Sequence, residues 1–471
     1  SYKILVWNAK YGHSHSNFLG RIADILVEAG HDVTTLLSVI SDEYPTDTKS
    51  AVLRVEQSEA TRRQQSAYAD VMRDFSNKHP YDPVAAYKMS KFFGTLFASQ
   101  CVQLLDEPGL IQRLTNESYD VMIAENFDMC GIALSHLIKP KSLISTVSTF
   151  AFAQHFEEFG LPQIMSFTPA SLISHLNVHS MFDRLKNIVA AWLERLQFYY
   201  FRFDVSNLFQ FYFLKRTIIF KEISSNASYI FVNSEPLIDF ATPTMNKVVY
   251  VGGIGNREPK PLTEEWSEIL NRREKTVLFS FGSVMKSIFL SPEIKQSIIT
   301  MIRAFPNVTF IWKYEKDDEF TEKESKRNDN LVFRKWTPQG DLLNDKRLAL
   351  FVTHGGMGST QEIAARGVPA IFVPLFADQP RNGGMMEHNK LARVLNKFDI
   401  VNPDKLIAIV KEVLENEIYR LNARRSAAML AKKPFSAKEK LIKYTEFAAE
   451  FGSSPALRPQ SHDMNWIEYY N

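Results

Sequence analysis

Several features are scarce in this 471-residue chain, and each scarcity removes a class of protein. No run approaches the roughly 18–20 apolar residues that cross a bilayer as a helix. The formal net charge is only +2, so the concentrated basic face of a nucleic-acid binder is missing. Only two cysteines occur, Cys101 and Cys130, with no C-x-x-C or Cys/His spacing for zinc. They cannot build a disulfide framework and are expected as buried thiols. No Asp-x-Asp stands at a strand end. Asp317-Asp318 falls in the charged run Glu315 to Lys326, which reads as a solvated loop, so no metal site is expected. No repeat of solenoid period is visible. The chain opens directly on the strand-like run Tyr2 to Trp7, without the basic start, apolar stretch and cleavage site of a secretory leader. That leaves a cytosolic protein or a piece of a longer one.

What is present reads as globular. Hydrophobic residues make up 45% and charged residues 23%, and the length calls for two domains of roughly 200 residues each. Residues 1–40 run strand, loop (Asn8 to Ser16), helix and strand, the helix ending at Gly30. This βαβ unit predicts a parallel sheet with covering helices. Residues 45–115 read as mostly polar helical sequence. Further strands are expected at Tyr119–Ala124, Leu143–Thr146, Tyr229–Asn233 and Val248–Val251. Gly252-Gly253-Ile254-Gly255 and Pro259 and Pro261 then mark a linker. A second alternating series follows, with strands at Val277–Phe281, Thr309–Tyr314, Leu331–Lys335, Ala349–Thr353 and Ala370–Pro374. The fold expected is α/β: two doubly wound parallel sheets, residues 1–255 and 256–440, facing each other across a cleft. Residues 441–471 form a helical tail that packs back on the first domain.

Phe is abundant, with 35 copies, and it crowds residues 150–220, as in Phe198-Tyr199-Tyr200-Phe201. Three readings stay open there: ordinary helix packing, a pocket for a lipophilic molecule, or a surface that rests on a bilayer. Three N-x-S/T triplets begin at Asn116, Asn226 and Asn307. The last opens a strand expected to be buried, which argues against a glycan there.

The densest chemistry lies between Trp336 and Gln379. The strand Leu350 to Thr353 runs into His354-Gly355-Gly356-Met357-Gly358-Ser359, followed by a helix. Glycines let backbone approach a ligand, and a helix N-terminus offers N–H donors and partial positive charge to a diphosphate. His354 adds a side-chain donor. No Lys-Ser/Thr follows, so this is not a P-loop, and the glycines do not match the dinucleotide spacing. Upstream, Trp336 offers a flat indole to a base and Gln339 a partner for its edge. Glu362 can accept hydrogen bonds from ribose hydroxyls. Asp378 and Gln379, just past a strand end, suit the hydroxyls of a sugar ring.

Residues 336–379 resemble the signature of the UDP-glycosyltransferases, the family that includes the animal UDP-glucuronosyltransferases. The resemblance extends through the C-terminal half and, more loosely, through the N-terminal half. It implies a GT-B fold with the UDP-sugar held mainly by the C-terminal domain. It assigns Trp336 to uracil, Gln339 to base or ribose, His354, Gly356 and Ser359 to the diphosphate, Glu362 to ribose, and Asp378 and Gln379 to the transferred sugar. Gly282 and Ser283 match the family's other phosphate-side loop. Gly358 departs from the pattern, since many members carry Asn there. His15 falls where the family keeps its catalytic base, and Glu125 where it usually keeps Asp; Asp128 is a reserve, and His13 a lesser candidate base. The resemblance thus implies inverting transfer of glucose or glucuronate from a UDP-sugar to a hydroxyl of a small lipophilic acceptor, with no metal. A glucuronate donor would want a cation such as Arg381. Possible homo-oligomers aside, the family also implies a lumenal ectodomain of the endoplasmic reticulum. The stretch Ser461 to Tyr470 resembles the segment that precedes the family's membrane anchor. A UDP-sugar epimerase and a catalytically silent binding subunit remain as other classes.

Overall fold

The computed structural model describes residues 1–43, 48–76, 78–79, 82–161, 163–212, 220–283, 285–465 and 468. Trp466, Ile467, Tyr469 and Tyr470 of the expected pre-anchor segment lie outside the described residues, as do 213–219 of the Phe-rich stretch.

The first sheet contains β1 (Lys3–Lys10), β2 (Asp32–Val39), β3 (Ala51–Val55), β4 (Val121–Glu125), β5 (Ser142–Val147), β6 (Tyr229–Val232) and β7 (Val248–Tyr250). Their spatial order is β3-β2-β1-β4-β5-β6-β7, and every pairing is parallel. The second sheet contains β8 (Lys275–Ser280), β9 (Val308–Lys313), β10 (Leu331–Arg334), β11 (Leu348–Thr353), β12 (Ala370–Phe372) and β13 (Ala392–Val394). Its order is β10-β9-β8-β11-β12-β13, again all parallel. In each sheet the chain winds one way and then reverses, at β1/β4 and at β8/β11. Crevices at the carboxyl ends of such reversals are where doubly wound sheets hold ligands.

Both faces of each sheet are covered, which is why the strands read as continuous apolar runs. Along β1, Leu5, Trp7 and Ala9 join a core with helix Pro83–Asp106, while Ile4 and Val6 pack under helices His13–Glu28 and Ala437–Phe451. In the second sheet Val277, Phe279 and Phe281 pack against helices Pro292–Ala304 and Pro403–Glu415; Leu278 faces the core beneath helix Met357–Arg366.

Helix Ala437–Phe451 belongs to the core of the first domain, with Leu441 and Ala448 fully buried beside Ile144 and Tyr229. The domains also touch directly. Arg381 donates from its backbone to Ser171 O (3.1 Å) and from Nε to Pro169 O (3.1 Å), and it pairs with Asp239 at 2.8 Å. Gly384 lies so close to Ser174 that an added Cβ would come within 1.8 Å of its carbonyl oxygen.

Four local expectations are corrected. Cys101 and Cys130 are not free thiols but a disulfide, because helices Pro83–Asp106 and Cys130–Ile138 bring their Cα atoms to 6.0 Å. Residues 51–55, read as polar helical sequence, form the edge strand β3, whose outer side chains face solvent. The loop expected over Asn8 to Ser16 is short: β1 continues to Lys10 and the helix starts at His13. The charged run after Glu315 is not a loop, because Asp318 caps helix Glu319–Arg327 by accepting from Thr321 N–H.

Candidate active site

The ends of β1, β4, β8 and β11 converge on one cavity of about 560 Å³. It is lined by His15, Gly282, Ser283, Trp336, Gln339, His354, Gly356, Gly358, Ser359, Glu362, Asp378 and Gln379, so all but one of the expected site residues meet there. The exception, Glu125, sits directly behind His15.

On the first domain, His15 lies in the opening turn of its helix, and Glu125 is the last residue of β4. His15 Nδ1 is 2.8 Å from Glu125 Oε1, and both side chains are largely shielded from solvent. A carboxylate only accepts, so Nδ1 carries the proton and Nε2 is left as the basic nitrogen. Ser148 adds its Oγ at 2.7 Å from Nδ1, and its backbone N–H donates to Glu125 Oε1 at 3.3 Å. Tyr11 and Phe127 pack on the imidazole at 4.5 and 5.2 Å between centroids. Asn126, next to Glu125, accepts from buried Arg202 at its carbonyl (3.0 Å) and its amide oxygen (2.8 Å). Asp128 is turned elsewhere: it accepts from Trp7 Nε1 at 3.0 Å. Burial, then the neighbouring Glu125, pushes its pKa up to about 7. His13 faces the other domain, edge-on to Trp336 at 5.7 Å.

On the second domain, β11 ends at Thr353 and the turn His354-Gly355-Gly356 leads into helix Met357–Arg366. The N–H groups of Gly358 and Ser359 belong to the first turn, which has no intrahelical acceptors. Gly282, at φ +93°, lies flat on the His354 ring; a Cβ there would come within 2.6 Å of Cε1. Burial, then Lys313, drops the His354 pKa to about 4, so the ring is neutral and offers one N–H donor. An added Cβ on Gly358 meets nothing within 4 Å, so the space beside this position is open.

Trp336 follows β10 and stays 58% exposed, its indole face available to a flat ring. Gln339 donates to Ser359 Oγ at 3.1 Å and to Glu362 Oε2 at 2.5 Å. Burial raises the Glu362 pKa. Beyond β12, Gln379 Oε1 accepts from the backbone of Leu375 and Phe376, leaving its NH₂ to face the cavity. Asp378 accepts from Asn382 at 2.7 Å, and burial raises its pKa to about 6. Ala377, just before them, holds φ +54°, a strained value for a residue with a side chain.

Sequence reasoning missed Ser148 and Lys313. Ser148 is the residue just past β5, a polar side chain at a strand end. Lys313, the last residue of β9, donates to Gly282 O at 2.7 Å and places its ammonium 5.3 Å from the centre of the Trp336 ring. Arg381, considered as a partner for a sugar carboxylate, is buried against Phe150 and Phe240 and paired with Asp239.

Two facing parallel-sheet domains, with an imidazole–carboxylate pair on one and an aromatic platform beside a helix N-terminus on the other, define a GT-B glycosyltransferase. The sequence profile described as UDP-glucoronosyl and UDP-glucosyl transferase matches residues 2–471, and the chain belongs to that family. It is 27% identical to Caenorhabditis elegans ugt-48 over all of this chain and 90% of that protein. It is 26% identical to UDP-glucuronosyltransferase 2B19 of Macaca fascicularis, over all of this chain and 88% of that one. Among solved structures, Phytolacca americana UGT2 complexed with UDP-2-fluoro-glucose and pterostilbene superposes with a TM-score of 0.61. That match covers 96% of this chain and all of that one at 16% identity, a likeness of fold. Sugar transfer from a UDP-sugar is the activity this membership carries.

Proposed function

We propose that the chain transfers a hexose, with inversion, from a UDP-sugar to a hydroxyl of a small lipophilic acceptor. The observation that carries this is the 2.8 Å contact between His15 and Glu125, at the wall of the cavity that also holds Asp378. His15 Nε2 takes the acceptor proton as its oxygen attacks the anomeric carbon; Glu125 stabilises the resulting imidazolium. The C1–O bond to the diphosphate breaks, and UDP leaves with the bonding pair. The N–H groups at the start of helix Met357–Arg366, with neutral His354 and Ser283, receive that charge. Trp336, Gln339 and Glu362 hold uridine, and Asp378 and Gln379 the sugar. The acceptor lies against Phe93, Phe152 and Phe198 of the first domain, residues 1–255, while residues 256–440 hold the donor.

The donor sugar we favour is neutral, of the glucose type. The described cations at the cavity wall are Arg257 and Lys313. Arg257 acts on the charge of His13, which packs on Trp336, and so stands on the base side; Lys313 is held by Gly282 O between Trp336 and His354, beside the base and the diphosphate turns. Arg381 is already paired. Residence in the lumen of the endoplasmic reticulum, with an anchor beyond residues 441–471, agrees with the Cys101–Cys130 disulfide, since such bonds persist in oxidising compartments. The asparagines of all three N-x-S/T triplets are exposed, Asn307 included.

His15→Ala is expected to lower kcat by about 10²–10⁴-fold with folding and UDP affinity retained. Unchanged transfer in that variant overturns the assignment. UDP release with and without a phenolic acceptor separates a transferase from an epimerase or a silent subunit. Transfer is expected to survive EDTA; a loss restored by manganese or magnesium would show that the protein groups named here do not carry the diphosphate alone.

A further inference from the structure

The turn that leaves β4 puts two of its residues on the same imidazole. Glu125 bonds to His15 Nδ1 at 2.8 Å, and Phe127 packs on the His15 ring at 5.2 Å between centroids. Asn126, between them, is buried behind the cavity wall, and each of its polar groups has a partner. Its N–H donates to Thr146 O at 2.8 Å, and its amide NH₂ donates to Ser224 Oγ at 3.1 Å and Ser145 Oγ at 3.4 Å. Its side-chain oxygen accepts from Arg202 Nη2 at 2.8 Å. Its carbonyl accepts twice, from Arg202 Nη2 at 3.0 Å and from His155 Nε2 at 3.1 Å, so both lone pairs are used.

The donors come from two helices behind the site. His155 lies on helix Ala153–Phe159, and Arg202 on the long helix Met181–Tyr212. Burial, then the Arg202 charge, drops the His155 pKa to about 3, so the ring is neutral. His155 Nδ1 accepts from Phe152 N–H at 3.1 Å, which leaves the proton on Nε2, facing Asn126. Arg202 is buried too. Burial draws its pKa down to about 9, so it stays charged near neutrality, and its other terminal nitrogen pairs with buried Glu158. A buried ion pair of this kind is no better for stability than apolar side chains of the same volume. What a planar fork adds is direction: one guanidinium fixes Glu158 and both oxygens of Asn126 at once.

We propose that Arg202 is a positioning residue for the transfer reaction, clamping Asn126 so that Glu125 and Phe127 on either side keep their places against His15. The proposal rests on the reading of His15 and Glu125 as the base and its partner. Phe201, the residue before Arg202, packs on Phe127 at 4.8 Å and lines the cavity together with Phe198. The wall that receives the acceptor and the brace behind the base are therefore one helix, which fixes the spacing between an acceptor hydroxyl and Nε2.

The test is steady-state kinetics of the 471-residue chain with a UDP-sugar and a water-soluble phenol. Arg202→Lys keeps the charge beside Glu158 but has no fork to span Asn126. It is expected to lower kcat by about 10–100-fold, with KM for both substrates within about twofold of the parent. Asn126→Ala takes the side-chain oxygen out of the clamp without changing charge; it should lower kcat in the same way, and it decides the matter if Arg202→Lys does not fold. Both substitutions are then repeated in Glu125→Ala. A residue that acts through Glu125 has nothing left to act on there, so each should change that rate by less than about twofold. A loss of the same size in both backgrounds, or parent kcat in both variants, overturns the proposal. So does a raised KM for the phenol at parent kcat, which would assign Arg202 to the shape of the acceptor wall. Glu125→Ala that transfers at the parent rate overturns the proposed function and this proposal together. A slow Glu125→Ala beside an unimpaired Arg202→Lys overturns this proposal alone.

Discussion

Beneath His15 stand two carboxyl groups, Glu125 and Asp128, three residues apart, and their surroundings give them different states. Glu125 has the imidazole and the Ser148 N–H to face. Asp128 accepts from the Trp7 indole N–H and from the backbone of Gly131 and Cys130, but its complete burial and then the neighbouring Glu125 push its pKa up to about 7. Near neutrality Asp128 therefore keeps much of its proton, while Glu125 is the carboxyl group in contact with the imidazole. The consequence for stability has a definite sign. A folded-state pKa above the unfolded value of about 4 means the folded chain binds more protons in between, so stability falls as pH rises from about 4 to 7. Asp128→Asn copies the protonated form and can still accept from Trp7. Thermal melts should therefore show the variant gaining on the parent across that window. A difference between the two that does not change with pH would mean that Asp128 is ionised in the folded protein.

At the scale of elements, the phosphate side is a close fit between two turns. Gly282 must leave room for the His354 ring and must hold positive φ, so Gly282→Ala is expected to weaken UDP binding by about tenfold or more. Gly358→Ala, with open space around its Cβ, should bind UDP nearly as the parent does; calorimetry on both variants distinguishes site geometry from a general dislike of substitution. These turns were legible in the sequence because glycine-rich loops after apolar strands announce themselves by composition. So were eleven strands, whose runs of Val, Ile, Leu and Phe reflect burial on both faces. The edge strand β3 escaped because Ala51-Val52-Leu53-Arg54-Val55 sits in polar surroundings and has one open side. Ser148 and Lys313 escaped for another reason. A serine or lysine at a strand end carries no signature until the topology shows which strand ends share a cavity. The disulfide required the packing of two helices, which no spacing in the sequence encodes.

At the scale of the whole molecule, the Cys101–Cys130 bond ties the helix that backs the cavity to the one that follows β4 and Glu125. Closing a loop with a sequence separation of 29 should be worth about 3.6 kcal/mol. Cys101→Ala/Cys130→Ala should accordingly melt several degrees lower than the parent, and a reductant should lower the parent's Tm but not the variant's. If the reductant lowers both equally, the bond contributes nothing.

The chain passes between domains twice, once after β7 and once before helix Ala437–Phe451, which is embedded in the first core. A single tether would let the halves swivel freely. Two tethers behave like the two knuckles of a door hinge, leaving rotation about the line that joins them as the motion that stretches neither. Whatever enters between the halves therefore meets jaws that part along a fixed arc, with the His15 wall returning to the same place over the donor at each turnover.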